Sequence, residues 1–386
     1  MNIVYLDNAA TSYPKPECVQ KAVSEYIKYG VNINRSSYSL AYNAEEMVYD
    51  TRKLLCDTFG FKDPSCVFFT QNVTASLNTA ISGLLTKDDH IITSSVEHNA
   101  VMRPLRALES LGAQISLIPS DKFGNMILEG FEDLIRSNTK AVVMTHASNV
   151  CGTIQPIEKI GKLCKQYGLM FIVDTAQTAG VFDIPVQNID VLCFTGHKGL
   201  MGPQGIGGFI AKKEVSQKMN PLILGGTGSM SHTEYMPDFL PDKFEAGTLN
   251  LPGIAGLNAA LKYIHNKNIC NIRNHELQLT KIFLDELKNE DGINIYGMCD
   301  IIGRTGTVSI SIDGIDNAIT AMELEENFGI LTRVGLHCAP AAHKTLGTYP
   351  TGTVRFSFSD SNTEEDIFKA ITALKKIRNK VRTNGF

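Results

Sequence analysis

The clearest pattern along the chain is an alternation of short apolar runs with longer amphipathic stretches between residues 66 and 212. The apolar runs predict strands at 66–70, 90–94, 114–118, 141–145 and 169–174. The amphipathic stretches predict helices at 74–85, 99–111 and 156–168. Apolar strands separated by helices are typical of a mostly parallel sheet that is covered on both faces. Ligands bind beyond the carboxyl ends of such strands, so residues at those ends become candidates for chemistry.

The pattern changes after about residue 255. One long helix is predicted over 255–289, and the strands and helices that follow lie near 305–312, 316–327, 330–334, 353–357 and 363–380. These elements predict a smaller α+β domain. We therefore expect an α/β fold with a large domain over 15–255 and a small domain built from both chain ends, 1–14 and 256–386.

Composition narrows the choice of partners. The chain has 386 residues, which suits about two domains, and its net charge of −4 is spread without a basic block. Nucleic acid and membranes are therefore not expected as partners. The first residues resemble no export signal, and the nine cysteines form no CxxC pair. We expect reduced thiols in the cytoplasm and no metal site.

Lys198 follows a predicted strand and lies inside the glycine-rich segment 194–208. A partly desolvated lysine loses basicity, which suits it to condense with an aldehyde. The alternative is a surface lysine on a glycine-rich turn. Gly205-Ile-Gly207 is also part of a dinucleotide-binding pattern, but no βαβ unit that opens a helix follows it.

Asp174 ends an apolar run 24 residues before Lys198. Pyridoxal phosphate needs an acid against its pyridine nitrogen, because the protonated ring is the better electron sink. Gln177 could hydrogen-bond the ring hydroxyl. The alternative for Asp174 is a helix cap, which strand-end aspartates often provide. An aspartate and a lysine at neighbouring strand ends nevertheless support each other.

Six segments resemble the cysteine desulfurases, pyridoxal-phosphate enzymes of class V and fold type I. The resemblance runs nearly from end to end and in the same order, through Tyr5-Leu-Asp-Asn-Ala-Ala10, Glu97-His98-Asn99, Ser148-Asn149, Val173-Asp-Thr-Ala-Gln177, Thr195-Gly-His-Lys198 and Phe244-Glu-Ala-Gly-Thr248. It implies that Lys198 carries the cofactor, that Asp174 pairs with the pyridine nitrogen and that Gln177 lies at the ring oxygen. It also implies that His98 stacks on the ring, although an isolated histidine is often only a structural hydrogen-bonding residue.

The resemblance further implies a phosphate site made by Thr74, Thr195 and His197, with Thr248 contributed by a second copy of the chain. Thr74 begins a predicted helix, where free N–H groups and the dipole favour an anion. The family usually has a Gly-Thr-Thr-like segment where this chain has Asn72-Val73-Thr74.

The segment 333–340 resembles the short catalytic loop of the desulfurases, in which a cysteine attacks the substrate sulfur. Cys338 takes that position, and Arg333 and His337 are near enough in sequence to favour its thiolate. The alternative is a buried, inert cysteine. The family typically has a second histidine where this chain has Leu336.

Arg355 lies on the predicted strand 353–357. A guanidinium suits bidentate capture of a carboxylate, and the resemblance assigns Arg355 to the substrate carboxylate together with Asn149, with Arg333 also near the substrate. The alternative is a surface arginine on an edge strand.

Together these features predict an enzyme that converts L-cysteine to L-alanine and passes the sulfur, as a persulfide on Cys338, to an acceptor protein or a reductant. The resemblance alone implies that the enzyme is a homodimer. Iron–sulfur cluster assembly and tRNA thiolation are two possible uses of that sulfur. Three alternatives stay open. They are a selenocysteine lyase, a class V aminotransferase or β-lyase in which Cys338 is incidental, and a non-catalytic scaffold that has kept the fold.

Overall fold

The structure, a computed structural model, describes residues 3–33 and 38–384. The chain begins with a short strand, β1 (Val4–Tyr5), and two helices, α1 (Glu17–Tyr29) and α2 (Ser39–Phe59). Helix α2 ends at Gly60, whose φ of 78° is left-handed and suits glycine. In the parts of the chain just given, no helix is long and apolar enough to cross a membrane. All nine cysteines are free thiols.

A seven-stranded sheet forms the centre of the large domain. Its strands and the helices around them are β2 (Val67–Thr70), α3 (Val73–Leu84), β3 (His90–Ser94), α4 (Asn99–Leu111), β4 (Gln114–Ile118), β5 (Thr139–Thr145), α5 (Ile157–Tyr167), β6 (Met170–Asp174), β7 (Val191–Thr195), β8 (Gly207–Ala211) and α6 (Lys213–Lys218). The strand order is β2-β8-β7-β6-β5-β3-β4, and only β8 runs antiparallel to its two neighbours. The predicted mostly parallel sheet is confirmed.

A smaller antiparallel sheet follows. The elements of this part are α7 (Leu251–Lys267), α8 (Ile269–Leu287), β9 (Ile293–Tyr296), β10 (Thr307–Ile312), α9 (Asn317–Phe328), β11 (Ile330–Leu331), β12 (Arg333–Gly335), α10 (Pro340–Thr345), β13 (Thr353–Ser357) and α11 (Glu364–Asn384). The strand order is β12-β13-β10-β9. Strand β1 pairs in parallel with β11, so both chain ends meet here. The division of the chain into domains at 15 and 255 stays a prediction.

The prediction of a single helix over 255–289 is wrong, because the structure has two helices, α7 and α8, that meet at Asn268. Asn268 has a φ of 71°, which ends α7, and its side chain accepts a hydrogen bond from the N–H of Cys270, which starts α8. Asparagine adopts left-handed backbone more readily than most residues and caps helices well. The prediction also missed β9, which contributes only four residues at the edge of the small sheet.

The small sheet has one apolar and one polar face, because alternate residues of a strand point in opposite directions. Val308, Ile310, Val354 and Phe356 are buried in an apolar cluster with side chains of α8, α9 and α11. The residues between them on β10 and β13 face the large sheet and form hydrogen bonds to the loop after β5. This polar face positions several site residues.

Arg304 joins the two sheets from within the protein. It is only 1% exposed, and its guanidinium donates to the carbonyl oxygens of Met298, Thr305, Cys151 and Thr307. Burial lowers the pKa of this guanidinium to about 10. Because Cys151 belongs to the loop after β5 and Thr307 starts β10, the buried cation fixes that loop against the small sheet.

Replacing Arg304 by Met should lower the free energy of unfolding by about 3 kcal/mol, because buried carbonyl groups lose a charged donor. Urea unfolding followed by circular dichroism measures the change. Arg106→Met removes a half-exposed arginine that pairs with Glu109 on α4, and as the control it should cost less than about 1 kcal/mol. Equal losses in the two variants would contradict the role of Arg304.

Candidate active site

Two turns that pack through glycines bring Lys198 and Asp174 together. Asp174 ends β6 and Lys198 follows β7, the neighbouring strand. In the turn after β6, a Cβ on Gly180 would lie 2.4 Å from the carbonyl oxygen of Gly199. A Cβ on Gly199 would in turn lie 2.6 Å from the carbonyl oxygen of Ala179. Close backbone approach therefore requires glycine at both positions, which explains part of the glycine-rich segment around the lysine.

The surroundings of Lys198 favour its neutral amine. Burial lowers the pKa of the amine to about 8. The charges of Arg355 and Arg333 lower this pKa further, and those of Asp174 and Asp7 oppose the shift. A neutral amine is the form that condenses with an aldehyde, so Lys198 has the property predicted for the cofactor lysine.

Asp174 is a buried carboxylate at the end of its strand. It is 3% exposed, and its Oδ1 accepts a hydrogen bond of 2.9 Å from the N–H of Ala176. Burial raises the pKa of the carboxyl, whereas the Ala176 bond and the charge of Lys198 lower it. The residues after Asp174 form a turn and not a helix, so this hydrogen bond is a turn bond and not a helix cap. It does not conflict with the predicted pairing to a ring nitrogen.

His98 caps helix α4 through one edge of its ring. Its Nδ1 accepts a hydrogen bond of 3.0 Å from the N–H of Ala100. Burial lowers the pKa of the imidazole, and the charges of Lys198, Arg333 and Arg355 add to the shift, which brings this pKa to about 3. The ring is therefore neutral with its proton on Nε2, because Nδ1 is an acceptor.

Glu97 was part of a motif in the sequence, but no role was predicted for it. Its carboxylate is fully buried and accepts hydrogen bonds from the hydroxyl of Ser94 and from the N–H of Thr145. Burial raises the pKa of the Glu97 carboxyl to about 8. The side chain ties the turn after β3 to the end of β5 and so fixes the start of the helix that carries His98.

The expected phosphate end of the site has unsatisfied polar atoms. Among the residues that the structure describes, neither Thr195 Oγ1 nor His197 Nδ1 has a hydrogen-bond partner, although both atoms are buried. Helix α3 begins shortly after β2. The side chain of Asn72 caps the helix by accepting a hydrogen bond from the N–H of Ala75, and Thr74 is exposed in the first turn. A helix N-terminus with an unpaired hydroxyl and an unpaired imidazole nitrogen fits an anionic group.

The N-terminal segment, residues 7–15, supports the site, and sequence reasoning missed most of this role. The carbonyl oxygen of His197 accepts hydrogen bonds from the N–H of Ser12 at 3.0 Å and from Nζ of Lys15 at 2.7 Å. Burial lowers the pKa of Lys15 to about 8. Gln177 donates from Nε2 to the carbonyl oxygen of Ala9 at 3.2 Å, so its amide is already oriented.

Arg355 is buried at the centre of the small sheet and not on an edge strand. It is 1% exposed, and it donates to Asp7 Oδ1 at 2.7 Å and to the carbonyl oxygen of Asn149 at 3.0 Å. Within residues 3–33 and 38–384, Arg355 Nε and Asn149 Oδ1 are buried without a hydrogen-bond partner. An unpaired donor and an unpaired acceptor beside each other fit the carboxylate and ammonium of an amino acid.

Cys338 lies at the protein surface and not in the core. Its Sγ accepts a hydrogen bond of 3.6 Å from Nη2 of Arg333. Both His337 and Cys338 have positive φ, and the N–H of Ala339 closes the turn on the carbonyl oxygen of Leu336 at 2.8 Å. The sulfur is therefore presented at the tip of a tight turn.

Thr248 is exposed and lines a cavity together with Gln71, Ala75, Gly205 and Leu222. The cavity lies beside the first turn of α3. The contribution of Thr248 from a second copy of the chain stays a prediction.

Comparisons with known proteins show the family of this chain. The family model described as "Aminotransferase class-V" matches residues 4–369. A probable cysteine desulfurase of Methanothermobacter thermautotrophicus is 35% identical over 373 residues, which cover 94% of this chain and 92% of that protein. The chain belongs to the cysteine desulfurase family. The expected family is thus confirmed.

Solved structures confirm the expected fold type. The apo cysteine desulfurase of Thermococcus onnurineus superposes with a TM-score of 0.90 at 34% identity, covering 98% of this chain and 95% of that one. The cysteine desulfurase CsdA of Escherichia coli superposes with a TM-score of 0.85 at 28% identity, covering 97% and 94% of the two chains. The similarity therefore extends over both sheets of this family member.

The Lys198 amine should react in a pH range set by its pKa. In the cofactor-free protein, acetylation of Lys198 should rise with a midpoint near pH 8 and not near the ordinary value of 10.5, because the neutral amine reacts. Asp174→Asn should move the midpoint to lower pH, since the carboxylate raises this pKa, and Arg333→Met should move it to higher pH. Peptide mass spectrometry after brief labelling measures the midpoints, with exposed Lys21 as an internal reference for the reagent. An unmoved midpoint in both variants would contradict the electrostatic account.

Proposed function

We propose that this enzyme binds pyridoxal phosphate through Lys198 and converts L-cysteine to L-alanine, with the sulfur left as a persulfide on Cys338. The observation that carries the proposal is the hydrogen bond of 2.8 Å from the N–H of Asn99 to the carbonyl oxygen of Cys338. It holds the cysteine loop against the start of the helix that carries His98. A reactive cysteine at the site of the cofactor ring distinguishes desulfuration from the other reactions of the class V family.

The residues around Lys198 suit pyridoxal phosphate. The buried carboxylate of Asp174 suits a protonated ring nitrogen, and the unpaired Thr195 hydroxyl and the N-terminus of α3 suit the phosphate. His98 offers a neutral ring for stacking. When bound, the cofactor supplies an electron sink for the bonds that break at the substrate's α and β carbons.

Substrate binding is assigned to the joint between the two sheets. Arg355 Nε, a buried donor without a partner among the described residues, supports capture of the substrate carboxylate. Asn149 Oδ1 offers an acceptor beside it, while its Nδ2 is held by the His337 carbonyl oxygen at 2.8 Å. Arg333 lies next to Arg355 in the sheet register and adds positive charge to this side of the site.

Proton transfer is assigned to Lys198. Its lowered pKa increases the fraction of neutral amine, which is the form that can accept the α-proton. His98 keeps a proton on Nε2 and so presents a neutral donor on the opposite edge of its ring from the capping bond.

Sulfur transfer is assigned to the Cys338 thiolate. Its sulfur attacks the substrate's thiol sulfur, an S–S bond forms, and the Cβ–S bond of the substrate breaks with its electron pair left on carbon. Protonation of that carbon gives the methyl group of alanine. L-cysteine and the Cys338 thiol thus become L-alanine and a Cys338 persulfide, with atoms and electrons in balance.

Two further assignments concern partners. Cys338 is exposed, which supports delivery of the persulfide sulfur to an acceptor protein.

A homodimer is supported by the exposed apolar side chains of Leu222, Ile223 and Leu224, of which the first two line the cavity beside Thr248. Light scattering of the purified protein should then give twice the chain mass of 42.3 kDa.

Replacing Cys338 by Ala should abolish alanine formation from L-cysteine, because no other thiol is expected to take the sulfur. Cys299→Ala removes another exposed cysteine and should leave activity unchanged. The experiment quantifies alanine and identifies the persulfide by mass spectrometry of the 333–344 region.

Full activity of Cys338→Ala on cysteine would favour a β-lyase or aminotransferase. Activity on selenocysteine alone would favour a selenocysteine lyase, and a wild-type protein that binds no cofactor would favour the scaffold alternative.

Replacing Arg355 by Lys should raise KM for L-cysteine by about tenfold or more, because an ammonium group cannot make the paired contacts of a guanidinium. Steady-state kinetics of alanine formation measures the effect. Thermal unfolding of the same variant is needed alongside, since Arg355 also pairs with Asp7. An unchanged KM in a folded variant would remove Arg355 from the substrate site.

A further inference from the structure

Cys338 occupies a backbone conformation that residues other than glycine and asparagine seldom adopt. The φ values of His337 and Cys338 are 48° and 57°, and Ala339 N–H bonds to Leu336 O across them. Two consecutive left-handed residues belong to the primed β-turns, in which a side chain with a Cβ is strained. Such a turn persists only where its surroundings hold it.

A chain of three hydrogen bonds runs from the His337 ring into the joint between the sheets. Ser309 Oγ donates to the carbonyl oxygen of Val150 at 2.7 Å. Thr353 Oγ1 donates to Ser309 Oγ at 3.1 Å, and His337 Nε2 lies 3.0 Å from Thr353 Oγ1. All four groups are buried.

The carbonyl oxygen of Val150, the last acceptor of this hydrogen-bond chain, determines where each proton of the hydrogen-bond chain lies. A carbonyl oxygen can only accept, so the one hydroxyl proton of Ser309 points to Val150. The hydroxyl proton of Thr353 must then point to Ser309, which leaves its oxygen as an acceptor for His337. The His337 ring is therefore the tautomer with its proton on Nε2.

The chain anchors the His337 ring and does not move protons to or from Cys338. Burial lowers the pKa of this imidazole to about 2, and the neighbouring Arg355, His343 and Arg333 contribute to the shift. A ring of such low basicity stays neutral, and across the described ranges its Nδ1 is buried without a hydrogen-bond partner. Positioning is the role that this geometry leaves.

The main chain of the turn is held separately from the ring. Asn149 Nδ2 donates to the carbonyl oxygen of His337, and Asn99 N–H donates to that of Cys338, both at 2.8 Å. These two bonds fix where the turn lies. The ring anchor fixes how His337 is rotated, and with it the left-handed backbone that directs the next side chain.

We propose that Thr353 and Ser309 are positioning residues for sulfur transfer, because their hydrogen-bond chain from His337 to Val150 holds Cys338 in its left-handed turn. The inference rests on the proposed function for its consequence in catalysis. Both residues lie on the polar face of the small sheet, and their hydrogen bonds reach the turn through the His337 ring. They act on the step in which the Cys338 sulfur attacks, and not on substrate capture.

The decisive variants are Thr353→Val and Thr353→Ser. Valine keeps the shape and strand propensity of threonine but removes the hydroxyl and so interrupts the hydrogen-bond chain. Serine keeps the hydroxyl. Thr320→Val is the matched control, since Thr320 is a fully buried threonine of α9 whose hydroxyl bonds to the Asp316 carbonyl oxygen at 3.1 Å. Ser309→Ala removes the next hydroxyl of the same hydrogen-bond chain, and it replaces Thr353→Val as the test if that variant does not fold.

Thr353→Val should lower kcat for alanine formation about tenfold with KM unchanged, because a small misplacement of the attacking sulfur slows the reaction without weakening binding. In the cofactor-free protein, hydrogen exchange of the Ala339 amide should become faster by about tenfold, since the turn opens more often. Thr353→Ser should restore both quantities, and Thr320→Val should leave both at the wild-type values.

A Thr353→Val variant that matches Thr320→Val in kcat and in exchange would overturn the proposal. A rise in KM at constant kcat would also overturn it, because Thr353 would then act through Arg355. A Thr353→Ser variant as impaired as Thr353→Val would overturn it as well. If the wild-type protein makes no alanine, the proposed function fails, and the exchange comparison alone still decides whether the chain holds the turn.

Discussion

The buried ion pair between Arg355 and Asp7 is the interaction on which the site depends. Arg355 lies on the central strand pair of the small sheet, and Asp7 belongs to the N-terminal segment that supports the Lys198 turn. The same guanidinium holds the carbonyl oxygen of Asn149 in the loop after β5. A buried charge is tolerated only when it is paired and hydrogen-bonded. The pair therefore ties three separate parts of the chain into one arrangement, and it leaves Nε of the guanidinium without a partner among the described residues.

The electrostatics of the site follow from the same crowding of cations. Lys198, Arg333 and Arg355 all lower the pKa of His98, and the two arginines lower that of Lys198. This local excess of positive charge occurs in a chain whose net charge is −4. It suits a phosphate, a carboxylate and a thiolate, three anions that the proposed reaction brings to one place. Together with burial, which is the larger cause, it also lowers the pKa values of His98 and Lys198.

The small sheet links the strained cysteine turn to the rest of the fold. Its apolar face buries Val354 and Phe356, and its polar face presents Thr353 and Arg355 to the large sheet. A one-residue slip of this strand would exchange the two faces, so the apolar core sets the register of the functional side chains. The geometry of Cys338 is thus maintained by packing on the opposite side of the sheet.

The sequence by itself determined the alternation of strands and helices and the two sheets, and it predicted roles for Lys198, Asp174 and Cys338. These features are local, because periodicity, strand ends and short motifs are written in neighbouring residues. It did not predict the break at Asn268, nor the supporting roles of Lys15 and Glu97. It also could not pair Asp7 with Arg355, which are 348 residues apart. Such contacts exist only after folding, since nothing near either residue in the sequence specifies its partner, and the tertiary structure alone decided them.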